Sequence, residues 1–171
     1  MNFWLFGLKI IGILRFIGVL FLGLYPIPAY LFCSFLDIID GQVAYEAGLT
    51  WRQYCRYDKL LDYWLYIGIL LYSYHLTIFP IILVLFVIRS IGQIIFLNTN
   101  KDKYLFWFPN ILERFFVLYL IVGGHEIILL IIAILITIPH EYIFHIHSSH
   151  HGGRTWSYAV RSEGRFIKKI M

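Results

Sequence analysis

Long stretches without a charged side chain set the pattern of this chain. Residues 16–36, 63–88 and 127–139 contain no Lys, Arg, Asp or Glu. A helix that crosses a bilayer needs about 20 predominantly apolar residues at roughly 1.5 Å rise each. Six such spans are predicted: about Phe3 to Leu24, Ile27 to Ala47, Trp51 to Tyr74, Ile78 to Leu97, Leu105 to Gly123 and Glu126 to Ile146. Between the second and third, Gly48 suits a helix C-terminal cap, and Thr50-Trp51-Arg52-Gln53 has the form of a capping box. The two helices therefore form a tight hairpin centred near Leu49.

Composition strengthens this pattern. Of 171 residues, 60% are hydrophobic and only 14% charged, against about 25% charged in an ordinary soluble domain. The net charge of +4 does not point to nucleic acid, because most basic residues lie at the ends of apolar runs, where they act as topology signals. The connections at Tyr25–Pro26, Tyr74–Thr77 and Gly123–Gly124 hold no Lys or Arg. Arg52 with Arg56, Lys101 with Lys103, and Arg154, Arg161, Arg165, Lys168 and Lys169 fall on the opposite side. Both termini are thus expected in the cytoplasm, the first helix being retained because Lys9 and Arg15 interrupt its apolar core. Cys33 and Cys55 lack the spacing of a zinc site or a disulfide scaffold and are read as reduced thiols. The expected layout is a transmembrane domain over residues 1–146, followed by a basic, His-containing cytoplasmic tail over 147–171. The histidines His145, His147, His150 and His151, with His140 one turn earlier, are read as solvated rather than metal-binding, and the tail's basic residues as resting on anionic lipid.

Four carboxylates stand out against this background. Asp37 and Asp40 are three apart on the second helix, and Asp58 and Asp62 four apart on the third, so each pair shares a face. Counted from Leu49, Asp40 and Asp58 are each nine residues away, and Asp37 and Asp62 twelve and thirteen. In an antiparallel pair these are matched levels, roughly 14 and 19 Å from the turn. Pairing with Arg52 and Arg56 would not require four like charges at one level. Each intramembrane charge costs several kcal/mol and neighbouring carboxylates repel, so a compensating charge near +4 is expected. Hard oxygen ligands favour two Mg2+ or Mn2+ ions, the apparatus of phosphoryl transfer. Gly41 and Ala44 on the same face leave room for a ligand to approach, or for close helix packing.

These residues resemble the signature of the CDP-alcohol phosphotransferase family, D-x2-D-G-x2-A-R-x8-G-x3-D-x3-D. The chain reads Asp37, Asp40, Gly41, Ala44, Tyr45, eight residues, Tyr54, Asp58 and Asp62, matching six of eight fixed positions with every spacing kept. The resemblance implies an all-helical, six-span enzyme whose active site lies at the cytosolic ends of helices 2 and 3. It implies a dinuclear Mg2+ or Mn2+ centre on Asp37, Asp40, Asp58 and Asp62, with Asp62 as the catalytic group that takes the proton of the acceptor alcohol. The nucleotide would meet Asp37, Gly41, Ala44, Tyr45 and Asp58, and CMP would leave as the substituted phosphoryl group, from CDP-diacylglycerol as the expected donor, passes to the alcohol in phospholipid synthesis. Two departures matter: Tyr45 replaces an Arg, and Tyr54 replaces a Gly on the face of Asp58, where its ring would narrow the pocket. Arg56 and Lys59 lie about 200° and 100° around the helix from Asp58, so neither is an obvious substitute for the Arg.

Arg89 and Arg114 resemble the deep basic residues with which family members hold phosphorylated acceptors, and are the acceptor-binding candidates, with pairing to Glu113 or snorkelling to the interface as the alternative. Arg15 is expected to pack structurally or meet a lipid headgroup. The resemblance admits a homodimer, and the residues fit the cytoplasmic membrane of a prokaryote. Two other readings stand beside the enzyme: a non-catalytic relative serving as a membrane scaffold, motivated by Tyr45 and Tyr54, and a divalent-cation transporter using the same carboxylates.

Overall fold

The computed structural model describes residues 3–99 and 103–142. The tail from residue 147, the expected end of the sixth span after Tyr142, and Lys101 lie outside the described residues. The described chain is helical, with no strand among the described residues. Helix α1 (Phe3–Leu20) runs into a 3-10 turn (Phe21–Gly23), and is followed by α2 (Pro26–Glu46), α3 (Trp51–Ser73), α4 (Phe79–Thr99), α5 (Lys103–Phe106), α6 (Ile111–Val122) and α7 (Glu126–Tyr142).

The hairpin forms for the reasons its sequence suggests. Pro26 sits at the start of α2, where its missing N–H is no loss. Gly48 adopts φ +81° after α2, a conformation open to glycine without a Cβ penalty. Thr50 and Gln53 then exchange the reciprocal bonds of a capping box at the head of α3.

One predicted element differs. The fifth span was expected as a continuous helix from Leu105 to Gly123, but the chain leaves helical geometry at residues 107–110, between α5 and α6. Pro109 lacks an N–H and would clash with the preceding helical turn, and the residue before a proline is pushed out of the helical region. The 12 residues of α6 therefore span only roughly 18 Å.

The core joins α1 to α4, α6 and α7 around Leu22, Tyr66, Ile69, Ile82, Phe115 and Phe116. Glycines admit the close approaches. A Cβ on Gly12 would collide with Tyr57, one on Gly68 with Val19, and one on Gly92 with Phe108. Polarity is arranged inside out: Ile38, Leu60, Leu71 and Ile127 are largely exposed, while Arg15, Asp40, Asp58, Asp62, Arg89 and Glu141 are buried. Three helical segments, Phe3–Gly23, Pro26–Glu46 and Phe79–Thr99, are long and apolar enough to cross a membrane.

Candidate metal centre

The hairpin brings Asp37 and Asp40 of α2 to Asp58 and Asp62 of α3, as the count from Leu49 anticipates. Oxygens of Asp37, Asp40 and Asp58 lie within 4.8 Å of one another. Asp40, Asp58 and Asp62 are buried, whereas the Asp37 side chain is 45% exposed and forms the open side of the cluster.

What holds the cluster together comes from α1. Gly12 lets the Tyr57 ring lie against α1, and the Tyr57 hydroxyl donates to the Leu8 carbonyl at 2.8 Å. One turn further on, buried Arg15 extends its guanidinium among all four aspartates. Nη1 pairs with Asp40 and reaches Asp58 at 3.5 Å; Nη2 meets Asp37 at 2.8 Å and Asp62 at 3.0 Å. The planar fork of arginine suits this sharing. Arg15 is thus neither simple packing nor a headgroup contact, as its position in the first span had suggested. Lys59 also reaches the site despite its angular offset, because its flexible stem carries Nζ to 2.7 Å from both Asp58 Oδ2 and Asp62 Oδ2. The Tyr54 hydroxyl donates to Asp40 Oδ1 at 2.8 Å. At least seven of the eight carboxylate oxygens consequently have a partner.

Arg15 and Lys59 supply two of the four positive charges the carboxylates call for. The donor set, all carboxylate oxygen and open at Asp37, suits one hard divalent cation in the remaining balance, where the carboxylates taken alone had called for two. Arg56, a possible ion-pair partner by sequence, is exposed.

The other nominated residues are distributed unevenly. Gly41 and Ala44 are buried, and Ala44 belongs to an apolar cluster with Leu8, Val43 and Tyr54; close helix packing, the alternative for that position, is what the structure has there. Tyr45 packs partly buried against the same cluster. Tyr54 occupies the space beside Asp40 that the family's glycine would leave open.

Arg89 is buried on α4, and its Nη1 donates to the Phe108 carbonyl at 2.8 Å, in the break between α5 and α6. Glu141 of α7 accepts from the Asn110 N–H at 2.9 Å. Asn110 Nδ2 in turn donates to Glu113 at 2.6 Å, and Tyr30 donates to the same carboxylate at 3.2 Å. This second polar group adjoins the aspartates, since Tyr66, Arg89 and Glu113 each interact electrostatically with Asp62. Arg114 is partly exposed and interacts with Tyr30; it is not brought to the aspartates by any described contact. Sequence reasoning passed over Tyr66, Gln93 and Glu141. Of these, Gln93 carried a signal: an amide four positions from Arg89, within the largely apolar run of α4. Cys33 and Cys55 are free and buried.

No protein-family model matches this chain, and neither a curated protein nor a solved structure matches it.

Proposed function

We propose that the chain is a membrane-embedded, metal-dependent transferase that moves a substituted phosphoryl group from a CDP-linked donor, CDP-diacylglycerol being the expected one, to an alcohol, with release of CMP. The observation that carries this reading is the convergence of Asp37, Asp40, Asp58 and Asp62 at one level of the hairpin, in the order and spacing of the signature they resemble. One Mg2+ or Mn2+ ion at Asp37, Asp40 and Asp58 would add to Arg15 and Lys59 the charge the cluster requires, and would supply Lewis-acid stabilisation of the phosphates. Asp62 is the group that would accept the alcohol's proton. Its Oδ1 lies 3.0 Å from Arg15 and its Oδ2 2.7 Å from Lys59, and it would act through its proximity to the alcohol. Asp37 offers the nucleotide its most accessible contact, with Tyr45 at the edge. In this reading the helices make six crossings of a prokaryotic cytoplasmic membrane, with both termini and the aspartates toward the cytosol.

The test is CMP release by the purified chain in lipid-containing detergent with CDP-diacylglycerol, Mg2+ or Mn2+, and pooled alcohols. Asp62→Asn should abolish it while the helix content survives; equal turnover in that variant would remove Asp62 from the chemistry.

A second reading, a non-catalytic relative acting as a scaffold, is favoured by a specific observation. Arg15, Lys59 and Tyr54 already engage most of the carboxylate oxygens. Folded protein that produces no CMP in any of these mixtures would select it.

A further inference from the structure

The chain supplies two of the positive charges that its four aspartates require, and it places them differently. Arg15 enters from α1 and spreads its terminal nitrogens over all four carboxylates. Lys59 of α3 stands between only two: its Nζ lies 2.7 Å from Asp58 Oδ2 and 2.7 Å from Asp62 Oδ2, carboxylates one turn apart on that helix. The other oxygen of Asp62 is held by Arg15 at 3.0 Å, so both oxygens of Asp62 are engaged while Lys59 keeps its place. A hard divalent ion binds carboxylate oxygens directly, at roughly 2.0–2.6 Å, and cannot share the Asp58–Asp62 position with an ammonium that already bridges it. The other side of the cluster is open. Asp58 Oδ1 is 3.5 Å from the nearest Arg15 nitrogen, longer than a charged hydrogen bond, and the oxygens of Asp37, Asp40 and Asp58 that come within 4.8 Å of one another form a group without Asp62.

We infer that the Lys59 ammonium stands in the place of a second divalent cation and makes the aspartate cluster a one-ion centre. This deepens the transferase reading above and rests on it for the divalent ion. Four carboxylates are balanced by Arg15, Lys59 and one divalent ion; a second ion beside Lys59 would leave two excess positive charges in a buried site, which desolvation disfavours. Lys59 differs from the ion whose place it takes. It brings a single charge and N–H donors, but no coordination position for the hydroxyl of an alcohol, so Asp62 meets its substrate beside an ammonium. A merely structural ion pair would affect stability when removed and leave the number of bound ions unchanged. The inferred role sets that number, because removing Lys59 frees Asp58 Oδ2 and Asp62 Oδ2 together.

The experiment is Mn2+ binding to the full-length chain in lipid-containing detergent without nucleotide. Equilibrium dialysis gives the number of ions per chain, with Asp58→Asn as the blank for ions held elsewhere. Electron paramagnetic resonance shows whether they are neighbours, since two Mn2+ ions roughly 3.5–4 Å apart, the spacing of a two-metal site, couple and broaden each other's signal. The parent should bind one ion above the blank, with the spectrum of an isolated Mn2+. Lys59→Met, which keeps the length of the side chain and removes its charge, should bind two with a coupled spectrum, and Lys59→Arg, which keeps the charge, should bind one. A coupled pair in the parent would overturn the inference, as would a single isolated ion in folded Lys59→Met or no Mn2+ above the blank in the parent. Should Lys59→Met fail to fold, the parent and Lys59→Arg still decide: an isolated ion in both supports the inference, and a coupled pair in either refutes it. CMP release by a parent that holds a coupled pair would sink this inference and leave the transferase standing, whereas one isolated ion without CMP release would leave the one-ion centre and sink the transferase.

Discussion

Arg15 is the residue on which the aspartate cluster turns. Four carboxylates within a few ångströms, three of them buried, would repel one another strongly without it, and its two terminal nitrogens touch all four. Breaking a buried ion pair by removing one partner costs about 3–5 kcal/mol, since the remaining charges stay uncompensated. Arg15→Gln should therefore lower the unfolding free energy by about that amount, read as a fall in thermal stability in detergent. If the cluster accepts a divalent cation, Mn2+ should restore most of the loss in this variant, because the ion delivers the charge that Arg15 supplied. A variant as stable as the parent without metal would show that the carboxylates do not depend on Arg15. The aspartates themselves were legible from spacing, because a tight hairpin fixes the relative height of residues equidistant from its turn. The role of Arg15 was not, because the rotation of α1 against the hairpin is set by packing at Gly12 and Gly68, which no local pattern encodes. Lys59 was misjudged for a different reason: angular position on a helix locates Cβ, whereas a four-carbon stem carries the ammonium well away from it.

At the level of elements, the hairpin and the break before α6 are the two features that place polar groups. The capping box of Thr50 and Gln53 satisfies N–H groups at the head of α3. Its removal by Thr50→Ala should cost about 1 kcal/mol in thermal or denaturant unfolding, with a small loss of cluster alignment and no loss of helices beyond α3. The break is held by side chains from elsewhere: Glu141 accepts from the Asn110 N–H, and Arg89 donates to the Phe108 carbonyl. Glu141→Leu leaves a polar N–H without its partner and should destabilise by about 1–3 kcal/mol, whereas Glu141→Gln, which keeps an acceptor oxygen, should cost less. An equal loss in both variants would shift the cause from this hydrogen bond to charge. The capping box could be read from four consecutive residues. The break was masked by the apolar run around it, although Pro109 followed by Asn110 is a boundary signal of the kind that ends one helix and starts another.

The distribution of polarity over the whole molecule decides how the three apolar segments and the charged α3 share a bilayer. Hydropathy alone separates α3 from Phe3–Gly23, Pro26–Glu46 and Phe79–Thr99, since its first half holds Arg56, Asp58, Lys59 and Asp62. Those last three charges do not face outward. Arg15 and Lys59 pair with the carboxylates inside the bundle, and the outward positions of α3 include the exposed Leu60 and Leu71. A charge paired within protein no longer carries its full cost against lipid, and the 23 residues of α3 reach roughly 35 Å, enough to cross. Six apolar runs therefore reduce to three segments that are long and apolar enough on their own, α3 falling out by its charges and α6 and the described part of α7 by their 12 and 17 residues. The two outcomes differ at the α3–α4 connection. If α3 crosses, His75 faces the side opposite Gly48; if α3 lies on the surface, both face the same side. In a background with Cys33→Ala and Cys55→Ala, His75→Cys should react with a membrane-impermeant maleimide on intact cells, and Gly48→Cys only after permeabilisation. Labelling of both positions from the same side would reject the crossing of α3, and with it the six-span arrangement that sets the aspartates at the cytosolic face.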